Sequence, residues 1–164
     1  MVITEKIDGT NGVIAISEDG KQFAVGSRNR WITKDNDNMG FAAWAFSNMA
    51  DLMKLGPGYH YGEWWGRGIQ RGYGLAEKRF SLFNTTRWLN NPDKPECCHV
   101  VPELFRGEFS TSTVEDYIAW LSIVGSQASP GFMMPEGLVI YHTHSNTLFK
   151  KTLQNDGVPK GQLT

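Results

Sequence analysis

The amino-acid sequence predicts an α+β domain built on antiparallel sheets with flanking helices. Three observations carry that prediction. Short strand-like runs bounded by Gly, Pro, Asn and Asp dominate the chain. Only two segments keep helical apolar spacing. Strands and helices also follow one another without the regular alternation that a parallel sheet needs. The length of 164 residues suits a single domain spanning 1–164, and 40 % hydrophobic residues allow a packed core.

The elements follow in order. Val13 to Ser17 and Gln22 to Ser27 read as a hairpin turning at Glu18-Asp19-Gly20-Lys21. Met39 to Leu55 reads as one helix: Phe41, Trp44, Ala45, Met49 and Leu52 keep helical spacing, Asp37 or Asn38 caps it, and Gly56-Pro57-Gly58 stops it. Tyr59 to Trp64 is a strand entering a Gly-rich loop, Gly66 to Gly74. Arg79 to Asn84 and Cys98 to Leu104 are two further strands. Thr113 to Val124 is a second helix with Val114, Tyr117, Ile118 and Leu121 on one face and a capping box of Ser112 with Glu115. Gly137 to Tyr141 and Thr147 to Leu153 are the last strands, and residues 154–164 read as a loose tail.

A net charge of −1 gives no global field for a nucleic acid, so any such partner needs local cations. Arg28, Arg30, Arg67, Arg71, Lys78, Arg79 and Arg87 are the candidates. No apolar run approaches the roughly 18 residues of a membrane span, and no secretory signal is recognisable; the chain reads as soluble and cytoplasmic. Cys97 and Cys98 are neighbours and poorly placed for a mutual disulfide. With His99 they lack the further ligands of a zinc site. His142 and His144 share a strand face but read as exposed polar positions.

Lys6 stands in the run Glu5-Lys6-Ile7-Asp8-Gly9-Thr10-Asn11-Gly12. A lysine is a nucleophile only when desolvated or set near another cation. The glycines after it permit close approach of a phosphate or ribose, and Asn11 offers both donor and acceptor. Gly26-Ser27-Arg28-Asn29-Arg30-Trp31 sets two guanidiniums beside an aromatic ring, which suits phosphate. From Gly62 to Gly74 there are five glycines in thirteen residues. Either that loop turns backbone N–H groups to an anion with its aromatics stacking on bases, or it crosses a crowded core with the tryptophans inside. Glu136 opens one late strand. Lys150 and Lys151 lie inside the next, on opposite faces by the period of two.

In this order (KxDGxNG, SR, YGEW with GxGIQ, an FxxF strand, EGLV, then a lysine strand) the motifs resemble the covalent nucleotidyltransferase superfamily of ATP-dependent RNA and DNA ligases and mRNA capping enzymes. Asn11, where DNA ligases and capping enzymes usually carry Arg, points to the nick-sealing phage-type RNA ligases, which the GSRNRW and GEWWGRGIQRGYG runs also resemble. The likeness runs over roughly residues 4 to 160. It implies a nucleotidyltransferase (adenylylation) domain that uses ATP with Mg2+ or Mn2+ to join RNA 5′-phosphate and 3′-hydroxyl ends. By that resemblance Lys6 is the adenylylated nucleophile, Glu5 helps recognise adenine, and Ile7 lines the nucleotide site. Asn11 contacts the ribose or phosphate region, Arg28 the sugar-phosphate side or the RNA end, and Glu63 the ribose hydroxyl. Phe83 stacks on adenine, Glu136 binds the metal, and Lys150 or Lys151 neutralises the α-phosphate. Alternatives are a DNA-nick ligase, a GTP-using capping-type enzyme, or a non-catalytic nucleotide- or RNA-binding domain.

Three features depart from the family pattern. Its two last lysines are usually separated by one residue and here are adjacent; Lys150 is favoured because the apolar Phe149 precedes it. Only five residues precede Lys6. No appended domain is expected, so RNA would be held by this domain alone.

Overall fold

A computed structural model describes residues 1–154 and 156. The tail expected over 154–164 therefore lies outside the described residues, apart from Gln154 and Asp156. In chain order the strands are β1 (Val2–Lys6), β2 (Thr10–Ile16), β3 (Phe23–Ser27), β4 (Trp31–Ile32), β5 (Gly58–Gly66), β6 (Lys78–Leu82), β7 (Cys98–Val100), β8 (Glu103–Arg106), β9 (Gly137–His142) and β10 (Thr147–Thr152). The helices are α1 (Phe41–Ser47), α2 (Met49–Leu52), α3 (Thr85–Trp88) and α4 (Thr111–Val124). The chain divides into two compact units, one of Met1–Asp8 with Val101–Thr164, the other of Gly9–Val100. Among the described residues no helix is long and apolar enough to cross a membrane.

The first unit holds an antiparallel sheet in the order β10-β9-β1-β8. Ile3, Leu138 and Ile140 project from one face and meet Ile118 and Leu121 of α4, with Val114 and Tyr117 at the margin. These are the apolar positions that the helical period selects. The cap differs from the expected Ser112–Glu115 box. Ser110 is the N-cap: its extended backbone (φ −150°, ψ 130°) turns Oγ towards the Thr113 amide, which donates to it over 3.3 Å. The helix thus begins two residues earlier than the apolar pattern indicates.

The second unit holds a six-stranded sheet, β4-β3-β2-β5-β6-β7, antiparallel except for the β6–β7 pair. Ile14, Ile16, Val25, Trp64, Phe80 and Leu82 point to the side covered by Phe41, Ala42, Ala45, Leu52 and Leu55. Alternate residues such as Asn11, Tyr61 and Glu63 lie on the outer face.

Three further expectations need correction, and one open alternative is decided. The single helix from Met39 to Leu55 is two short helices and a 3₁₀ turn over Met53–Leu55. The break falls at Asn48, whose side-chain amide donates to the Trp44 carbonyl, and Met49 is exposed. Asp37 does serve the first turn, accepting from the Ala42 and Ala43 amides. The strand expected from Arg79 to Asn84 ends at Leu82, because Asn84 instead caps α3. Cys98 to Leu104 is not one strand but β7 and β8, in different sheets. Pro102 between them has no amide to donate, and its carbonyl accepts from Glu5 N. The Gly-rich loop takes the second of its two readings. Trp64, Trp65, Ile69 and Tyr73 are buried, and the Arg67, Ile69, Gly72 and Leu75 amides are spent on carbonyls of the loop itself and of Glu77.

Candidate functional site

Lys6 ends β1 opposite Gly137, the first residue of β9. That rung brings the Lys6 ammonium to 2.5 Å from Oε2 of Glu136, whose side chain is 4 % exposed against 17 % for Lys6. The neighbouring glycine is required. A Cβ on Gly137 would lie 2.1 Å from the Lys151 carbonyl oxygen, so only glycine lets β10 close on β9 here. The EGLV run thus combines a carboxylate for Lys6 with the residue that permits the rung.

The register separates the two late lysines. Lys150 pairs with Val139, which pairs with Thr4; Lys151 pairs with Leu138, which pairs with Glu5. Lys150 therefore shares the face of Thr4 and Lys6. Lys151 lies on the α4 face, where its ammonium meets Oε1 of Glu115 at 2.7 Å. That contact holds the Lys151 ammonium above its ordinary pKa.

Glu5 also points to the α4 side and is almost wholly buried. Its carboxylate accepts from Ser126 Oγ (2.6 Å), Gln127 N (2.7 Å) and Ala128 N (2.9 Å), fixing the segment that follows α4. Desolvation is the largest influence on this group and raises its pKa, against the lowering effect of these three donors. The side chain is thus engaged on the face opposite Lys6. Ile7 is buried at the end of the same segment.

In the Gly9–Val100 unit, Asn11 and Glu63 face each other across β2 and β5. Asn11 Nδ2 donates to Glu63 Oε2 over 3.3 Å and the Gly9 amide to Oε1 over 3.0 Å. Gly9 belongs there because a Cβ would fall 2.4 Å from the Trp64 carbonyl oxygen. Arg28 is exposed in the β3–β4 turn. Phe83, one residue past β6, is 40 % exposed and donates its amide to the Tyr61 carbonyl. Three of the expected phosphate-binding cations are held within the fold: Lys78 donates to the Met39 carbonyl, Arg87 to that of Leu55, and Arg79 pairs with Glu77. Cys97 and Cys98 are free thiols, and His142 and His144 join no metal-binding group among the described residues.

A family model described as RNA ligase matches residues 1–152. The chain belongs to the RNA ligase family. Its fold agrees with solved structures of a Naegleria gruberi RNA ligase. A mutant of that ligase with ATP and Mn aligns at TM-score 0.68 and 20 % identity, over 92 % of this chain and 49 % of that one. The same ligase with PPi aligns at TM-score 0.68 and 20 % identity, over 92 % and 48 %. A further mutant, with AMP and Mn, gives TM-score 0.67 and 19 % identity over 91 % and 48 %. The chain thus spans about half the length of these ligases. No curated protein matches the chain in sequence.

As an RNA ligase family member the chain carries two supports that the motifs do not announce. Ser126 with the next two amides holds Glu5, and Glu115 holds Lys151. The first has no sequence signal, because backbone amides have no residue identity. The second was visible only as helix capping.

Proposed function

We propose that this RNA ligase family member is an ATP-dependent RNA ligase that carries AMP on Lys6. The observation that carries the proposal is the Lys6–Glu136 contact at 2.5 Å, with Lys150 on the same sheet face. The Naegleria ligase was solved with ATP and Mn, with PPi, and with AMP and Mn; ATP is the substrate of such a first step, pyrophosphate its leaving group and AMP the group transferred.

Lysine is ordinarily protonated at neutral pH and attacks only as the free amine. Glu136 Oε2, 2.5 Å from Nζ, would take that proton and pass it to solvent, which leaves the carboxylate charged. Lys6 Nζ then bonds to the α-phosphorus of ATP, the bond from that phosphorus to the bridging oxygen breaks, and pyrophosphate leaves with the electron pair. Lys150, across the sheet face, would meet the charge that develops on the α-phosphate oxygens. An RNA 5′-phosphate oxygen next attacks the adenylate phosphorus and Lys6 recovers its amine. Finally the 3′-hydroxyl attacks the RNA 5′-phosphorus and AMP leaves.

Mg2+ or Mn2+ fits the residues present. Among the described residues no three carboxylate, His or Cys side chains gather into a cage, and such ions at nucleotides take one or two carboxylates with phosphates and water as the other ligands. Glu136 would hold the ion, which when bound neutralises phosphate charge. Asn11, Arg28, Glu63 and Phe83 are assigned to the nucleotide by family resemblance.

The test is incubation with ATP or GTP labelled at the α-phosphate, with metal, followed by denaturation. Label from ATP that Lys6→Ala abolishes is the expected result. No label from either nucleotide on folded protein refutes catalysis, and label from GTP alone refutes the ATP assignment. Nicked RNA, nicked DNA and single-stranded RNA with a 5′-phosphate then identify the acceptor.

A further inference from the structure

Three large rings stand exposed on the outer face of the Gly9–Val100 sheet: Trp31 (56 %), Tyr59 (63 %) and Tyr61 (59 %). They form a group. Tyr59 and Tyr61 alternate along β5 with ring centroids 6.3 Å apart and planes within 17°. The Tyr59 ring lies 6.4 Å from that of Trp31. One cross-strand row runs from Tyr61 through Val13 and Gly26 to Trp31, and the next from Tyr59 through Ala15 to Ala24. The floor between the rings is therefore made of small residues. Gly26 is fixed by this arrangement, since a Cβ there would come within 2.7 Å of a Val13 methyl and 3.1 Å of the Trp31 ring.

The core does not explain these rings, because the opposite face of the same strands fills it. The turn that leads into Trp31 carries two cations. Arg28 and Arg30 precede Trp31 in the β3–β4 turn and both are exposed. The Arg30 guanidinium donates to the Asn36 and Asp37 carbonyls, neutral acceptors that leave its charge in place. Glu63 and Asn11 lie on the same face, two residues along β5 and β2 from Tyr61 and Val13, or roughly 7 Å. Rings beside guanidiniums match the two parts of a nucleotide strand: bases stack on aromatic faces whatever their identity, and phosphates meet the cations. Bases inside a duplex are already stacked and cannot use such a surface.

We infer that the Trp31–Tyr59–Tyr61 shelf binds unpaired RNA by stacking its bases. The inference rests on the RNA ligase reading for its choice of RNA. Fluorescence anisotropy of a short labelled single-stranded RNA, and of the same strand in a blunt duplex, tests it with the full chain. Tyr59→Ser combined with Tyr61→Ser should weaken single-strand binding about fivefold or more for each ring that carries a base. Duplex binding should change less than twofold, and Tyr59→Phe with Tyr61→Phe should bind the single strand like the wild type. Single-strand binding within twofold of wild type after loss of both rings overturns the shelf. An equal fall for single strand and duplex overturns it as a site for unpaired bases. Labelling with ATP in the same samples keeps the two readings apart. A wild type that binds single-stranded RNA through the rings but takes no label refutes the ligase reading and leaves the shelf. A wild type that takes label but loses no RNA binding without the rings does the reverse.

Discussion

Replacing Lys150 and Lys151 one at a time should separate two neighbours that the strand period puts on opposite faces. The pairing puts Lys150 two strands from Lys6 and two residues along it. With strands about 4.8 Å apart and about 3.4 Å of rise per residue, their backbones lie roughly 12 Å apart on one face. Two lysine side chains leaning together span that gap with a phosphate between them. Lys151 faces the other way and is already paired with Glu115. Loss of a positioned group that meets transition-state charge costs about 10²- to 10³-fold in rate. Lys150→Ala should therefore slow formation of labelled protein from α-labelled ATP by about that factor. Loss of an exposed ion pair has little effect, so Lys151→Ala should stay within about threefold of wild type. Single-turnover labelling at saturating ATP, with circular dichroism to confirm folding, makes the comparison. Large and equal losses from both substitutions would refute the face assignment, and a large loss from Lys151→Ala alone would reverse it.

Further predictions follow from the same geometry. Burial raises the Glu5 pKa. A carboxyl whose folded pKa exceeds its unfolded value stabilises most below the unfolded value, near 4.3, and loses that contribution as pH rises through the folded one. The melting temperature of the wild type should accordingly fall relative to Glu5→Gln as pH rises from about 4 towards neutrality; a constant difference counts against a raised pKa. Ser110→Ala removes the α4 cap, at about 1 kcal/mol, and should lower the melting temperature by about 2–4 °C; no change would show that another group caps the helix. Gly137→Ala sets a methyl against the Lys151 carbonyl, and overpacking of this kind costs about 1–3 kcal/mol. Its melting temperature should drop by about 2–12 °C, with labelling reduced because the Lys6 rung shifts; wild-type behaviour in both measurements would contradict the β9–β10 register.

The α4 face was legible because Val114, Tyr117, Ile118 and Leu121 keep one period over about two turns, and a period survives any error at the ends. Its cap was not, since both Ser110 and Ser112 have the right chemistry and only backbone geometry chooses between them. The break at Asn48 was hidden for a related reason: the apolar positions on either side of it stay in phase, so the pattern reads through a side-chain hydrogen bond that ends the helix. β7 and β8 read as one strand because propensity does not say which sheet a residue joins. The Gly-rich loop shows the limit from the other side. Composition named both of its possible uses, and the choice between them depended on which amides find carbonyls, a question of three-dimensional partners.

The two adjacent charged pairs, Glu5-Lys6 and Lys150-Lys151, follow one physical rule. A strand sends neighbours to opposite faces. In β1 this commits Glu5 to the α4 side, where burial among donors makes it a structural anchor, and frees Lys6 for the other face. In β10 it commits Lys151 to Glu115 of α4 and leaves Lys150 with Lys6. Each pair therefore divides into one charge that holds the helix side of the sheet and one available for chemistry. The sheet register divides the pairs, and it does so the same way twice. The strand that presents Lys6 is fastened on its other face by the residue beside it.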